Sequence, residues 1–246
     1  MKIVVVGGTG LIGSKLVTKL GEHGHDAVAA APSTGVNTLT GEGVAEAVKG
    51  ASVVIDVSNS PSFEAEAARE FFETSTRHLL EAEAAAGVGH HVALSVVGTE
   101  RRPDIDYFRA KIAQEKLIQA SPIPYSLVHA TQFFEFVTRI ADDATEDGKV
   151  RIAPVLFQPI AGDEVAQTVG RVAVGEPLNG RVEVAGPEQS RMDEFFRHVL
   201  AAMGDSREVV TDPHARYFGA ELTERTLVPE DGAILTGTKY ADWSAK

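Results

Sequence analysis

The sequence predicts an α/β protein, a doubly wound parallel sheet with a small carboxyl-terminal α/β lobe. Three observations point there. Short β-branched runs at 3–6, 27–30, 53–57, 92–97 and 126–128 alternate with longer segments of helical period at 11–20, 63–86 and 107–120. The apolar runs are continuous and not alternating, which suits strands buried on both faces. Strand–helix alternation at this rhythm implies parallel strands joined by right-handed crossovers.

Taken in order, the first strand runs straight into glycines and then into the helix at 11–20. The crossover at 34–50 is thin, with a short helix at 44–48 behind a glycine-rich approach. After Gly148 the rhythm changes. The run 150–160 carries Pro154 and Pro159 and reads as loop or edge strand. A helix at 163–174, capped by Asp163, is followed by a strand at 181–184, the turn Gly186-Pro187 and a helix at 192–203. The tail from Thr211 is rich in turn residues and has no clear period. We therefore expect a domain at 1–148 and, at 149–246, a smaller lobe covering the carboxyl edge of the sheet and not folding independently.

Composition narrows the function. Apolar residues make up 43% of the 246 and charged residues 24%, the balance of an ordinary soluble domain. No apolar run is long enough for a transmembrane helix. The run 3–6 is too short for a signal peptide, so a cytoplasmic location is expected. The absence of cysteine excludes disulfides, thiolate zinc sites and cysteine nucleophiles. A net charge of −12, with no basic run longer than Arg101-Arg102, argues against nucleic acid as a partner. The pairs His90-His91 and His23/His25 lack further ligands at metal spacing, so no metal is expected. The expected partner is a small-molecule substrate, and the sequence assigns no oligomeric state.

The segment KIVVVGGTGLIGSKL places Gly7, Gly10 and Gly13 just after a strand and at the opening of a helix. Gly7 permits a tight turn, Gly10 lets the backbone approach a pyrophosphate, and Gly13 allows close helix–strand packing. Free N–H groups at the helix start then meet phosphate charge. Gly7, Thr9, Gly10, Leu11, Ile12 and Gly13 are the expected cofactor contacts. This G-x-x-G-x-x-G spacing resembles the short-chain dehydrogenase/reductase superfamily, and GGTGLIG resembles its atypical and extended branches. The resemblance implies a Rossmann sheet and a nicotinamide cofactor. An NAD site usually carries an acid at the end of the second strand. That region reads AVAAAPSTGVN, with Asp26 at the wrong end of the strand. NADP(H) is therefore favoured over NAD(H), with Ser33, Thr34 and Lys15 as candidate contacts to a 2′-phosphate, although an arginine is missing too.

The stretch SVVGTERRPDIDYFRAK holds the candidate chemistry. Ser95 falls near the carboxyl end of the fourth strand, the edge where open α/β sheets bind ligands. Tyr107 and Lys111 project from one face of a helix, leaving Ala110, Ala113 and Leu117 to pack on the sheet. A carbonyl that accepts hydride needs a proton, and a phenol is a weak donor near neutral pH unless an ammonium lowers its pKa. In this reading Tyr107 is the acid, Lys111 tunes it and contacts the cofactor, and Ser95 stabilises the substrate oxygen. Ser95 and Tyr107-Phe-Arg-Ala-Lys111 match the superfamily's Ser and Y-x-x-x-K pattern.

Across nearly the whole chain, GVGHHVALSVVG, AQEKLIQASPIPYSLVHATQFFEF and QPIAGDEVAQTV resemble the NmrA-like atypical branch. That branch includes NADP-dependent quinone and isoflavone-type reductases and also NmrA, a nucleotide-sensing regulator. By resemblance, Asn59, Ser60 and Pro61 border the cofactor, and His129 stands just after the fifth strand where arginine is common. Gln132, Phe133, Phe134 and Phe136 could wall a pocket for a flat quinone or enone, although phenylalanines at this spacing are more often core. His214, Tyr217 and Phe218 in the tail could close over a ligand or simply dock. The expectation is an NAD(P)H-dependent oxidoreductase acting on a small carbonyl, enone or quinone. The alternative is a catalytically silent NAD(P)-binding sensor. A nucleotide-sugar epimerase comes last, because it usually needs a larger carboxyl-terminal lobe.

Overall fold

The computed structural model describes residues 1–245. Its first half holds β1 (Lys2–Val6), α1 (Leu11–Glu22), β2 (Asp26–Ala30), α2 (Val44–Val48), β3 (Val53–Asp56), α3 (Ala65–Ala86), β4 (His90–Val96), α4 (Asp106–Ala120), β5 (Tyr125–Ala130) and α5 (Val137–Asp143). Next come β6 (Thr145–Glu146), β7 (Lys149–Ile152), β8 (Leu156–Phe157), α6 (Gly162–Val174), β9 (Gly180–Ala185), β10 (Ser190–Arg191) and α7 (Met192–Ala202). The tail adds β11 (Glu208–Thr211), β12 (Arg216–Tyr217), β13 (Ala220–Glu221), β14 (Ile234–Leu235) and α8 (Tyr240–Ser244).

Seven strands form one sheet in the order β2-β1-β3-β4-β5-β9-β14, every neighbouring pair parallel. This is the doubly wound α/β sheet the apolar runs predict. The chain leaves β1 for β2 on one side and returns through the thin crossover to β3 on the other. Strand order therefore reverses between β1 and β3, and their carboxyl ends form the crevice where such sheets take ligands. Helices α1 and α6 pack together over one face, and α3 and α4 over the other. Val5, Ile55 and Val128 of the strands meet Leu16 of α1 and Val169 of α6 in the largest core cluster.

Residues beyond 148 serve both layers of the molecule. Helix α6 and strands β9 and β14 return to the large sheet. The remainder builds a lobe from the sheet β11-β7-β6, the pair β10-β8 and the hairpin β12-β13. Phe157, Phe196, Met192 and Val150 form its core, continuous with Ile105 and Phe108 at the start of α4. Two local expectations are corrected. Ala161, not Asp163, occupies the N-cap of α6, and Asp163 pairs with Lys15 of α1 at 2.9 Å. The run 150–160 resolves into β7 and β8, separated around Pro154.

Candidate functional site

At the end of β1 the backbone turns sharply, and Gly7 donates to the carbonyl of Ala30 at 2.9 Å. Gly7 has φ +76°, and a Cβ there would lie 2.8 Å from the backbone of Ser58, beyond β3. A Cβ on Gly13 would lie 2.1 Å from the Gly7 carbonyl oxygen. Both positions therefore require glycine on steric grounds. Thr9, Gly10 and Leu11 are exposed at the crevice. Gly10 caps α1 without a side-chain hydrogen bond, and the first turn carries no acid. The N–H groups of Leu11, Ile12 and Gly13 precede the first intrahelical bond, from Ser14 to Gly10. Of these residues Leu11 is exposed and Ile12 and Gly13 are buried; N–H groups without an intrahelical partner at the positive end of a helix suit a pyrophosphate by charge.

The three groups considered for a 2′-phosphate are placed differently from one another. Thr34 Oγ1 accepts from the Ala31 N–H at 2.9 Å and returns its proton to the local backbone, so it belongs to the turn. Lys15 is held by Asp163. Ser33 is exposed at the end of the turn after β2. Asn59 lies beyond β3, where its Oδ1 accepts from Tyr107 Oη and from the Ser60 N–H, each at 2.9 Å.

Ser95, Tyr107 and Lys111 each hold a different partner, and no hydrogen bond links them among the described residues. Ser95 is buried in β4 and donates to Glu115 Oε1. Lys111 is 3% exposed and donates to the Leu94 carbonyl at 2.8 Å and to Gln114 Oε1. Its Nζ stands 4.3 Å from the centroid of the Phe72 ring. Burial lowers its pKa to about 8, against the opposing pull of Asp56 and Glu115. Tyr107 points away from this interior, toward Asn59. Burial raises its phenol above the ordinary range, and the Lys111 ammonium has no part in the shift. The rings of Phe63 and Phe218 flank it at 5.4 and 5.6 Å.

Helix α4 thus turns Lys111, Gln114, Glu115 and Ile118 toward the sheet, where Ala113 and Leu117 were expected. A charged face can be buried this way only if its groups are paired. Gln114 Nε2 donates to Asp56 Oδ2 at 2.9 Å, and the other Asp56 oxygen accepts from the Ser58 N–H and hydroxyl. Glu115 lies 3.2 Å from His129 Nε2, close enough for ion pairing although outside hydrogen-bond geometry. Burial alone would raise the Glu115 pKa; His129, Ser95 and Lys111 together hold it below the ordinary value. His129 lies inside β5, not after it, and is 1% exposed. Asp56, Gln114 and Glu115 were missed because a polar helix stripe was read as the outward face. The signal was present: Lys111, Gln114, Glu115 and Ile118 share one side of a helix.

The other candidates divide as well. Phe134 is buried and packs edge-on against Tyr240 of α8, and so holds the tail. Phe133 lies against the main core and stacks on Phe136 at 5.4 Å. Gln132 is 7% exposed, and neither amide atom has a hydrogen-bond partner. His90 and His91 find Ser126 and Glu83 as separate partners, at 2.8 and 2.9 Å. A cavity of about 510 Å³ lies in the small lobe, away from the glycine loop, and Phe63, Tyr217 and Phe218 help to line it.

No protein-family model matches the chain, and no curated protein matches it. Solved structures do. One is the dTDP-4-dehydrorhamnose reductase of Bacillus anthracis in complex with NADP: TM-score 0.72 and 14% identity, covering 99% of this chain and 96% of that one. The Bordetella bronchiseptica enzyme WbmG in complex with NAD matches with TM-score 0.72 and 15% identity over 100% of this chain and 93% of that one. The UDP-glucose 4-epimerase of Thermus thermophilus, in complex with NAD, matches with TM-score 0.69 and 19% identity over 92% of each. The seven-stranded sheet, its switch point beside the glycine loop and these likenesses lead to one conclusion: the chain has the Rossmann-type α/β fold shared with these reductases and epimerases.

Proposed function

We propose that this protein is a nicotinamide-dinucleotide-dependent reductase acting on a small carbonyl, enone or quinone. The observation that carries this reading is the glycine loop at the switch point, whose helix-start N–H groups have no side-chain partner, with Tyr107 hydrogen-bonded to Asn59 just beyond β3. Gly7, Thr9, Gly10, Leu11, Ile12 and Gly13 would hold the pyrophosphate, with Asn59 beside them. When bound, the reduced dinucleotide would supply a hydride, one proton with two electrons, to the acceptor carbon. Tyr107 gives its phenol proton to the acceptor oxygen and regains one from solvent. Burial raises the phenol's pKa, so it stays protonated across the neutral range but is a weaker acid than an ordinary tyrosine, and the charge that develops on the acceptor oxygen must drive the transfer. Lys111 and Ser95 support the site from within, through the Gln114–Asp56 and Glu115–His129 contacts. NADP(H) remains the favoured cofactor, on the missing acid after β2 and the open Ser33.

A second reading, a silent NAD(P)-binding sensor, draws on the same geometry. Ser95 and Lys111 turn inward, and Phe218 covers Tyr107. The nucleotide-sugar reading also gains, since the chain spans more than nine-tenths of the reductase and epimerase structures, which weakens the lobe-size argument against it.

The test is calorimetric titration with NADPH and NADH, followed by turnover assays on quinones and aldehydes with the parent protein and Tyr107→Phe. A reductase binds NADPH more tightly than NADH and loses ~100-fold or more of kcat in Tyr107→Phe. Cofactor binding without turnover selects the sensor. Failure to bind either dinucleotide removes both readings.

A further inference from the structure

Two side chains that line the small-lobe cavity, Phe63 and Phe218, also pack against Tyr107. Phe218 lines the cavity on one side. On the other its ring stacks on Tyr107 at 5.6 Å and 21°, and on Phe63 at 5.3 Å and 30°. Phe218 sits at the tip of the β12–β13 hairpin with φ +46°, followed by Gly219 at φ +82°. A left-handed conformation is disfavoured for a bulky residue and persists only where its surroundings over-determine it. Here the two-residue hairpin turn requires positive φ at both positions, and the rings of Phe63, Tyr107 and Tyr217 hold the bulky side chain at the first. The slot beside Phe63 and Tyr107 is thus shaped for a flat ring, and the chain fills it with one of its own.

The cavity behind it suits the same kind of molecule. Its volume lies in the range of small-molecule pockets. Phe63, Ile140, Ile152, Met192 and Tyr217 contribute apolar walls. Three arginines at the lining are matched by three acids, Asp143, Glu146 and Asp212. Arg139 lies 3.7 Å from Asp143; Arg151 is 3.4 Å from Glu146 and 3.5 Å from Asp212. His214 meets Glu221, and Arg216 donates to the Gly219 carbonyl. Apart from Arg151 Nε, which has no hydrogen-bond partner, the rim carries no excess positive charge to draw a phosphate or carboxylate. Behind the cavity wall, the buried Gln132 amide lies close enough to Tyr217 to pull its phenol pKa down against burial, although neither amide atom meets full hydrogen-bond geometry.

We propose that the small-lobe cavity is the acceptor pocket, that its acceptor is an uncharged flat quinone-like compound, and that Phe218 is the gate it displaces to reach Tyr107. This rests on the reductase reading for its chemistry, but not for its binding. The probes are 1,4-naphthoquinone and UDP-glucose, measured by equilibrium dialysis against the full-length protein without dinucleotide. Because the chain has no cysteine, thiol addition does not complicate the quinone measurement.

Naphthoquinone should bind saturably, more tightly than UDP-glucose. Phe218→Ala should tighten it by about fivefold or more, since the competing ring is gone and the flanking rings remain. Ile140→Trp, which fills the cavity from its half-buried wall, should weaken it about tenfold while leaving NADPH affinity unchanged. Both variants are first checked for cooperative melting and, where the parent binds NADPH, for an unaltered titration; either one, if folded, suffices for the test. Naphthoquinone affinity within twofold of the parent in a folded variant overturns the proposal, as does tighter binding of UDP-glucose. If NADPH fails to bind yet the quinone responds as expected, the pocket stands and the reductase reading falls. If quinone turnover is robust but neither variant moves its dissociation constant, the reading stands and the pocket falls.

Discussion

The glycine loop and the α4 face lie at the same edge of one sheet and solve opposite problems. The loop offers backbone donors, and the N–H groups at the start of α1 have no intrahelical or side-chain partner, with Thr9, Gly10 and Leu11 exposed beside them. On α4, Lys111, Gln114 and Glu115 are buried, and each is answered within the protein by Leu94, Asp56, Ser95 or His129. A helix terminus stays short of partners until a ligand arrives. A buried charge is costly at every moment, so its partners must be present in the fold itself. The first region is therefore built for a ligand, and the second for the scaffold under it.

The largest expected effect breaks the loop. In Gly13→Ala the new methyl would stand 2.1 Å from the Gly7 oxygen, backbone against backbone, with no flexible group to yield. The turn must move, at a cost of ~2–4 kcal/mol in stability and a loss of ~100-fold or more in NADPH affinity. Urea unfolding and calorimetry read the two effects. NADPH affinity within threefold of the parent would mean that the loop is not the phosphate cradle.

A smaller effect sharpens the contrast at Ser95. If its hydroxyl belongs to the scaffold, Ser95→Ala deprives Glu115 of a buried donor and lowers stability by ~1–3 kcal/mol. Turnover per folded molecule then stays within about threefold. A hydroxyl acting on the substrate oxygen would instead cost ~10²–10³ in kcat, with little change in stability. Unfolding midpoints and kcat on the same preparations separate the two roles, and Tyr107→Phe provides the reference for a direct proton donor.

This contrast also governs what could be read in advance. Strands β1 to β5 and helices α1, α3 and α4 follow from apolar runs and helical period, because each buries many residues in a repeating pattern. The glycine loop was legible because steric need at the backbone depends on little beyond the local turn. The β12–β13 hairpin and β14 were not legible: two-residue strands are too short to show a period. On α4 the period was right and the facing was wrong. A stripe of Lys, Gln and Glu ordinarily faces water, and only the groups waiting across the sheet, Asp56, Ser95 and His129, reverse it. Those partners come from three different strands, so local sequence could not supply them. The continuous run YSLVHA did contain a hint, since a histidine inside a strand buried on both faces calls for a polar neighbour.

Lys111 gives the finest test, because the scaffold role and a cleft-facing role differ in their response to pH. An ordinary lysine titrates at 10.5, and the folded protein holds this one at about 8. Between those values the unfolded chain binds more protons than the folded one, so stability rises with pH. The gain is complete above 10.5 and is lost as pH falls through 8. At neutral pH the buried charge costs at most ~3 kcal/mol, reduced by its hydrogen bonds. Lys111→Met keeps the stem against Phe72 and removes the titration, while leaving Leu94 and Gln114 short of a donor. Its absolute stability at pH 7 is therefore a sum of opposing changes and a poor guide. The difference between parent and variant is cleaner: the parent should gain ~1–3 kcal/mol relative to Lys111→Met from pH 8 to pH 10 in urea unfolding. Parallel curves would mean a solvated ammonium of ordinary pKa, one that faces the crevice beside Tyr107. The α4 face would then belong with the glycine loop, as part of the ligand site and not of the scaffold.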